Sequence, residues 1–393
     1  MIASLSDRIM LLSEAARFDV CAPQGAGLAA GTGGELAGAI TGLRLPGGGC
    51  LHVLKVLLTD ACHYDCFYCA NRATRPRRRT ALKPDDLARG FIDLHQRGLV
   101  EGLFLSSGIH GCPDETMSEM LAAAEIIREK HRFGGYVHLK VLPGASFANV
   151  ARAVELADRV SVNAEAPTQQ ALDRLATKKR LWEDVVQRMH WIRQAAHRAG
   201  SEKLRSGQTT QFVVGPGGET DRQILATTTG LRESVGLRRA YFSAFRPVED
   251  TPLEGEAPTP PLREHRLYQA DWLLREYGFG MSDLCFDHSG NLPLRLDPKL
   301  AAALRRDDLF PVEANRAERG ELLRVPGIGP RTANRILAAR RKGRLSVIGD
   351  LRQLGVPTRA APFLLYNGKR MGRLSDLLAG EAVSDEQLEF AFA

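Results

Sequence analysis

Between residues 52 and 276 the chain alternates short runs rich in β-branched and aromatic residues with longer stretches whose apolar positions recur every three or four residues. The runs predict strands at 52–58, 102–105, 136–142, 159–162, 209–214 and 239–245. The longer stretches predict helices at 84–97, 115–130, 147–157, 181–198, 221–235 and 262–276. Strand and helix in strict alternation is the pattern of βα units around a parallel sheet. Six units predict an α/β fold of partial (βα)6 barrel type, short of the full eight.

The flanks read differently. Residues 4–18 predict a short helix, and 23–49 is Gly-rich and weakly polar, so 1–50 is expected to be an N-terminal helix followed by a linker. A Pro-rich segment, 247–261, precedes the last barrel helix. After residue 298 the texture changes to short Arg-rich helices, which sets expected domains at 51–298 (barrel) and 299–393 (a small all-α domain with an acidic tail from 375). A chain of 393 residues with 44% hydrophobic composition supports two ordered domains, because single cores stop growing near about 250–300 residues.

Charge sharpens this division. The net charge is +7, yet residues 299–374 alone hold 17 Lys and Arg against 6 Asp and Glu. The basic character belongs to the C-terminal part, as expected for a polyanion-binding domain or a solvated cationic face. No apolar run of about 18 residues occurs, and Asp7, Arg8, Glu14 and Arg17 interrupt the N-terminal stretch. The expectation is a soluble, cytoplasmic protein with no membrane partner.

Three of the seven cysteines, Cys62, Cys66 and Cys69, fall within eight residues directly after the first predicted strand. That places three thiols on one loop at the C-terminal end of a barrel strand, where βα-barrel active sites lie. Such a loop suits three corners of a cuboidal iron–sulfur cluster and leaves one iron open. A zinc site is the rival reading, but zinc takes four closed ligands and the nearest further candidate is His63.

A CxxxCxxC triplet with Tyr68 before its last cysteine, following strand one of a βα protein, resembles the radical S-adenosylmethionine (SAM) superfamily. The resemblance implies a [4Fe-4S] cluster on Cys62, Cys66 and Cys69 whose open iron chelates SAM. It also implies reductive cleavage to methionine and a 5′-deoxyadenosyl radical, and an electron donor of flavodoxin or ferredoxin type. Tyr68, Ser106, Ser107 and Gly108 then fall near the methionine end of SAM, although 106–108 lacks the family's Gly-Gly-Glu form and also reads as a plain strand-to-helix turn. Asn163 and Glu165 fit ribose and methionine contacts or a capping role, and Gly215 a close backbone approach to adenine. Cys112, after the second predicted strand, is a candidate hydrogen-atom donor, or simply packing.

In the C-terminal part, Val325-Pro-Gly327-Ile-Gly329-Pro330-Arg331-Thr332-Ala333 resembles the helix-hairpin-helix DNA-binding element, with a degenerate second copy at Leu354-Gly355-Val356-Pro357. The resemblance implies that amides around Gly327, Gly329 and Thr332, with Arg331 and Arg335, grip a nucleic-acid backbone. The run Arg72, Arg75, Arg77, Arg78 and Arg79 reads either as a polyanion route or as a solvated loop. Together these features resemble DNA modification or repair radical SAM proteins with a C-terminal helix-hairpin-helix domain, a family associated with a uracil-DNA-glycosylase-like partner. An RNA-modifying enzyme, most readily one acting on transfer RNA, and a non-catalytic iron–sulfur DNA-binding or redox-sensing protein remain as alternatives.

Overall fold

The computed structural model describes residues 4–19, 37–44, 49–200, 203–345 and 348–374. It comprises two compact units, Met1–Glu219 with Thr227–Thr259, and Thr220–Ala226 with Pro260–Ala393. The acidic tail predicted from residue 375 lies outside the described residues.

The first unit is built on a curled, seven-stranded sheet whose spatial order follows the chain: β1 (Ile40–Arg44), β2 (Cys50–Leu57), β3 (Gly102–Ser106), β4 (Tyr136–Lys140), β5 (Arg159–Ser161), β6 (Gln208–Val214) and β7 (Leu237–Ala244). Strands β2 to β7 are all parallel, and they are the six that the alternating pattern predicts. Strand β1 corrects the linker reading of 23–49: it pairs antiparallel with β2, from Ile40 opposite Leu54 to Arg44 opposite Cys50. Its five residues take their burial from that pairing, and the surrounding glycines hide so short an alternation.

Helix α1 (Leu5–Ala15) precedes the sheet, and α2 (Pro84–Gln96), α3 (Pro113–Glu125), α4 (Phe147–Leu156), α5 (Gln169–Asp173), α6 (Gln187–Ala199) and α7 (Asp221–Val235) fill the crossovers. Their starts are chemically marked. Ser4 and Asp7 form a capping box on α1, Pro84 and Pro113 open α2 and α3 where an amide hydrogen is dispensable, and Ser146 and Thr168 cap α4 and α5. Gly90 lets α1 lie against α2, since a Cβ there would stand 2.4 Å from Ile9 Cδ1.

The second unit holds α8 (Pro261–Glu276), α9 (Pro298–Arg305), α10 (Arg319–Arg324), α11 (Pro330–Lys342) and α12 (Ile348–Gln353). It therefore takes in α8, which the pattern reads as the last barrel helix. The all-α expectation is corrected here as well, because β8 (Val312–Glu313), β9 (Leu364–Tyr366) and β10 (Lys369–Arg370) form a small sheet of order β10-β9-β8. Strands of two or three residues are too short to display a two-residue period. Leu322, Ile328, Ala333, Ile336, Leu351 and Leu364 are fully buried in this unit's core.

Candidate functional site

The loop after β2 carries Cys62, Cys66 and Cys69, and the backbone around it is tied down on two sides. On one side Leu58, Gly108 and His63 amides donate to Ser106, Thr59 and Ile109 carbonyls at 2.8, 2.7 and 2.7 Å. Gly108 has to be glycine, because a Cβ there would stand 2.3 Å from the Ala61 carbonyl oxygen. On the other side Phe67 N–H donates to Leu175 O at 2.7 Å, Thr177 Oγ1 to Asp65 at 2.8 Å, and Lys178 Nζ to His63 O at 3.3 Å. The segment 175–179, which no sequence motif marks, thus clamps the thiol loop.

The next residue of that clamp enters the site itself. Lys179 is 5% exposed and its ammonium lies 3.2 Å from Glu165 Oε1, which is equally buried. Burial opposes the Lys179 charge, but Cys66 and Glu165 outweigh it and hold its pKa above the ordinary lysine value. Glu165 sits in the left-handed region at φ 64°, a strained backbone for glutamate that costs about 1–3 kcal/mol. Two bonds to β6 enforce it: Glu165 N–H donates to Gln211 O at 2.9 Å, and Val213 N–H donates to Glu165 O at 2.8 Å. Burial pushes the Tyr68 hydroxyl well above its usual pKa, and Glu165, its hydrogen-bond acceptor, adds to the effect.

All three cysteines are free. Burial raises the Cys66 thiol, and burial followed by repulsion from Cys66 pushes Cys69 up to about 12. For Cys66 and Cys69 these shifts favour the protonated thiol until a cation takes the place of the proton, the usual coupling of metal binding to proton release. Among the described residues no three His, Cys, Asp or Glu side chains surround a point where one metal ion could sit. In a cuboidal cluster each thiolate ligates its own iron at a separate corner. The donor set thus fits a cluster.

The remaining predicted residues divide. Ser106, Ser107 and Gly108 lie beside the thiol loop, Ser107 donating to its neighbour's carbonyl at 2.6 Å. Asn163 is buried just beyond β5. Gly215, at φ 120°, ends β6 against Thr259, whose Oγ1 would lie 2.0 Å from a Cβ there. Cys112 is exposed and serves as the N-cap of α3, its sulfur accepting from Glu115 N–H at 3.4 Å. The arginine run turns out to be largely internal scaffolding: Arg79 donates to the carbonyls of Asp60, Asn71, Arg72 and Arg75 at 2.5–3.2 Å, and Arg77 to Asp60 at 2.5 Å. Arg78 remains exposed.

In the second unit, α10 and α11 are joined by a tight turn with Gly327 at φ 84° and Pro330 as the first residue of α11. A Cβ at Gly327 would meet Pro357 Cγ at 2.6 Å, so the turn packs directly on the second, degenerate copy. That copy has α12 followed by a 3-10 turn, Thr358–Phe363, in place of a second full helix. Arg331 and Arg335 are exposed, and Thr332 donates to Gly355 O at 3.5 Å. Lys299, nearly fully buried, reaches the turn from below and donates to Ile328 O at 2.5 Å.

Residues 56–229 match the sequence profile described as the Radical SAM superfamily. Members of that superfamily are enzymes that use a [4Fe-4S] cluster and SAM. No curated protein sequence matches the chain. Similar solved structures include the FeFe-hydrogenase maturase HydG from Carboxydothermus hydrogenoformans, at 13% identity and TM-score 0.43, covering 56% of this chain and 50% of that one. Methylornithine synthase (PylB) is similar at 16% identity and TM-score 0.43, covering 54% and 59%. The radical SAM methyltransferase TsrM from Kitasatospora setae is similar at 14% identity and TM-score 0.38, covering 53% and 38%. The chain thus spans less than two thirds of each of these proteins. Among the described residues, no helix is long and apolar enough to cross a membrane.

Proposed function

We propose that this chain is a radical SAM enzyme acting on DNA, in base modification or repair, with Cys62, Cys66 and Cys69 holding its cluster. When bound, the cluster and SAM supply a one-electron reductive cleavage that yields a carbon-centred radical. The chain's own groups do the rest. The 106–111 and 175–179 segments keep the thiol loop rigid, and Asn163, Glu165 and Lys179 offer one amide, one carboxylate and one ammonium to a zwitterionic amino-acid moiety and its ribose. Electrons come from a flavodoxin- or ferredoxin-type donor, and a uracil-DNA-glycosylase-like protein is a candidate partner.

The observation that carries the DNA reading is the tight Gly327–Gly329 turn at the start of α11, flanked by exposed Arg331 and Arg335, in the most basic part of the chain. Backbone amides at a helix start and nearby guanidinium groups suit phosphates and carry no base preference. The test has two parts. Anaerobically reconstituted, dithionite-reduced protein should release 5′-deoxyadenosine from SAM, and competition at matched salt among duplex DNA, single-stranded DNA and transfer RNA should favour DNA. Preference for transfer RNA would move the substrate to RNA, and absence of 5′-deoxyadenosine would leave a binding or sensing protein.

A further inference from the structure

Lys299, in the first turn of α9, is 8% exposed, and among the described residues its ammonium makes no ion pair. Its surroundings in the second unit are the Ile328 carbonyl, which accepts from it at 2.5 Å, and the face of Tyr277, whose ring centre lies 4.7 Å away. The carboxylate two residues earlier is committed elsewhere: Asp297 caps α9 by accepting from the Lys299 and Leu300 amides at 3.1 and 2.9 Å, and it pairs with Arg359. A buried ammonium without a paired countercharge is costly. Burial accordingly lowers its pKa to about 7, with Asp297 favouring the charge and Arg359 opposing it.

The carbonyl that Lys299 holds belongs to the peptide group at the heart of the hairpin turn. In a trans peptide the C=O and N–H point in opposite directions, so an Ile328 carbonyl drawn inward to Lys299 turns the Gly329 N–H outward. Gly329 is the N-cap of α11, a helix of 13 residues, and it receives no side-chain cap. Pro330 has no N–H, and the amides of Gly329, Arg331 and Thr332 have no acceptor among the described residues. Tyr277 backs the same spot, its Oη standing 3.1 Å from where a Gly329 Cβ would be. Three free donors and the positive end of a helix dipole thus lie on one side of a single peptide plane, with a buried ammonium on the other.

We infer that Lys299 is a positioning residue for a phosphate at the hairpin turn: its ammonium holds the Ile328 carbonyl inward, aims the Gly329 amide at the anion and places a positive charge behind it. The hydrogen bond to the carbonyl polarises the peptide and makes its N–H the stronger donor. A phosphate on the outer side supplies the countercharge that Lys299 lacks. Phosphate and proton therefore bind together, each tightening the other by the same factor. The sign follows from the free protein, in which Lys299 is charged below about pH 7 and neutral above it. With phosphate bound it keeps its proton to higher pH, so affinity is level below about 7 and falls as the pH rises beyond that value. The inference rests on the DNA reading of the turn and adds to it a buried, titrating group that touches no nucleic acid.

The test measures binding of a short duplex DNA to the full reconstituted chain at pH 7 and pH 9 and matched salt, by fluorescence anisotropy. Sodium sulfate is titrated calorimetrically alongside, because neither anion changes protonation in this range. For one linked proton the parent should bind DNA about fivefold more weakly at pH 9 than at pH 7, with sulfate moving in the same direction. Lys299→Arg, which keeps a charge that does not titrate, should bind tightly at both values. Lys299→Gln, which keeps a donor for Ile328 O but no charge, should bind weakly at both. Circular dichroism of each variant at each pH separates a lost slope from lost folding. A parent with no slope, or a slope that persists in both variants, would overturn the role of Lys299. DNA bound without a slope removes Lys299 and leaves the DNA reading standing, whereas a proton-linked sulfate site in a chain that binds no DNA removes the DNA reading and leaves Lys299.

Discussion

Replacing Lys179 by Met should destabilise the first unit strongly, and the structure sets the size of the effect. Lys179 Nζ and Glu165 Oε1 are 3.2 Å apart with side chains 6% exposed on each partner. At an effective dielectric of about 20 their attraction is about 5 kcal/mol. The cost of desolvating both ions offsets much of this, so the pair as a whole contributes little. Removing one member is different, because a buried carboxylate is left without its countercharge, and such truncations cost about 3–5 kcal/mol. Burial raises the Cys66 thiol, so it would have to ionise against that cost before it could stand in for Glu165 beside Lys179.

The expected pattern is therefore non-additive. Lys179→Met loses about 3–5 kcal/mol, Glu165→Gln a similar amount, and the double variant only about 1–2 kcal/mol. The assay is urea unfolding of the anaerobic apoprotein in a Trp272→Phe background, so that fluorescence comes from Trp182 and Trp191 in the first unit. A Lys179→Met loss under about 1 kcal/mol, or a double variant as unstable as the sum of the two singles, would refute the reasoning.

Four further outcomes are expected. Cys62→Ala, Cys66→Ala or Cys69→Ala should abolish the iron–sulfur absorbance of the reconstituted protein, and stoichiometric zinc in anaerobic protein would contradict the cluster. Arg79→Met should raise hydrogen-exchange rates across residues 60–75 and lower iron retention, since its guanidinium joins four carbonyls around the thiol loop. Arg331→Ala and Arg335→Ala should each reduce the salt slope of DNA binding by about one unit; Gly329→Ala is the cleaner test of the turn, because a Cβ there meets only Tyr277 Oη at 3.1 Å, whereas Gly327→Val would unseat Pro357. Burial lowers the Lys299 pKa to about 7, so the unfolded second unit binds the extra proton between that value and the free lysine value, and stability should rise with pH across this window, by up to about 5 kcal/mol. Lys299→Met should flatten that slope in urea titrations read from Trp272 in a Trp182→Phe/Trp191→Phe background.

What the sequence determined by itself was whatever is local. The six parallel strands and their crossover helices were legible because each carries its own hydrophobic period and its own cap, such as Pro84, Pro113 or Ser146. The thiol loop was legible because its three cysteines lie within one short segment, as was the Gly327 turn, whose φ of 84° demands glycine. Tertiary structure decided what depends on partners distant in the chain. Strand β1 is a strand because β2 lies beside it, and β8 to β10 are too short to show a period. Lys179 reads as an ordinary lysine until the fold buries it against Glu165 and Cys66. The arginines at 75–79 look like a solvated or phosphate-seeking run until Asp60 and the loop carbonyls appear as their acceptors. Asp19 reads as the end of a helix, and only the curl of the sheet brings Lys55, Ser106, Lys140 and Gln211, which span more than 150 residues of sequence, around one carboxylate segment. Charge and hydrogen-bond complementarity between side chains leaves no periodic trace in the chain, so it can be read only once the backbone has closed the distance.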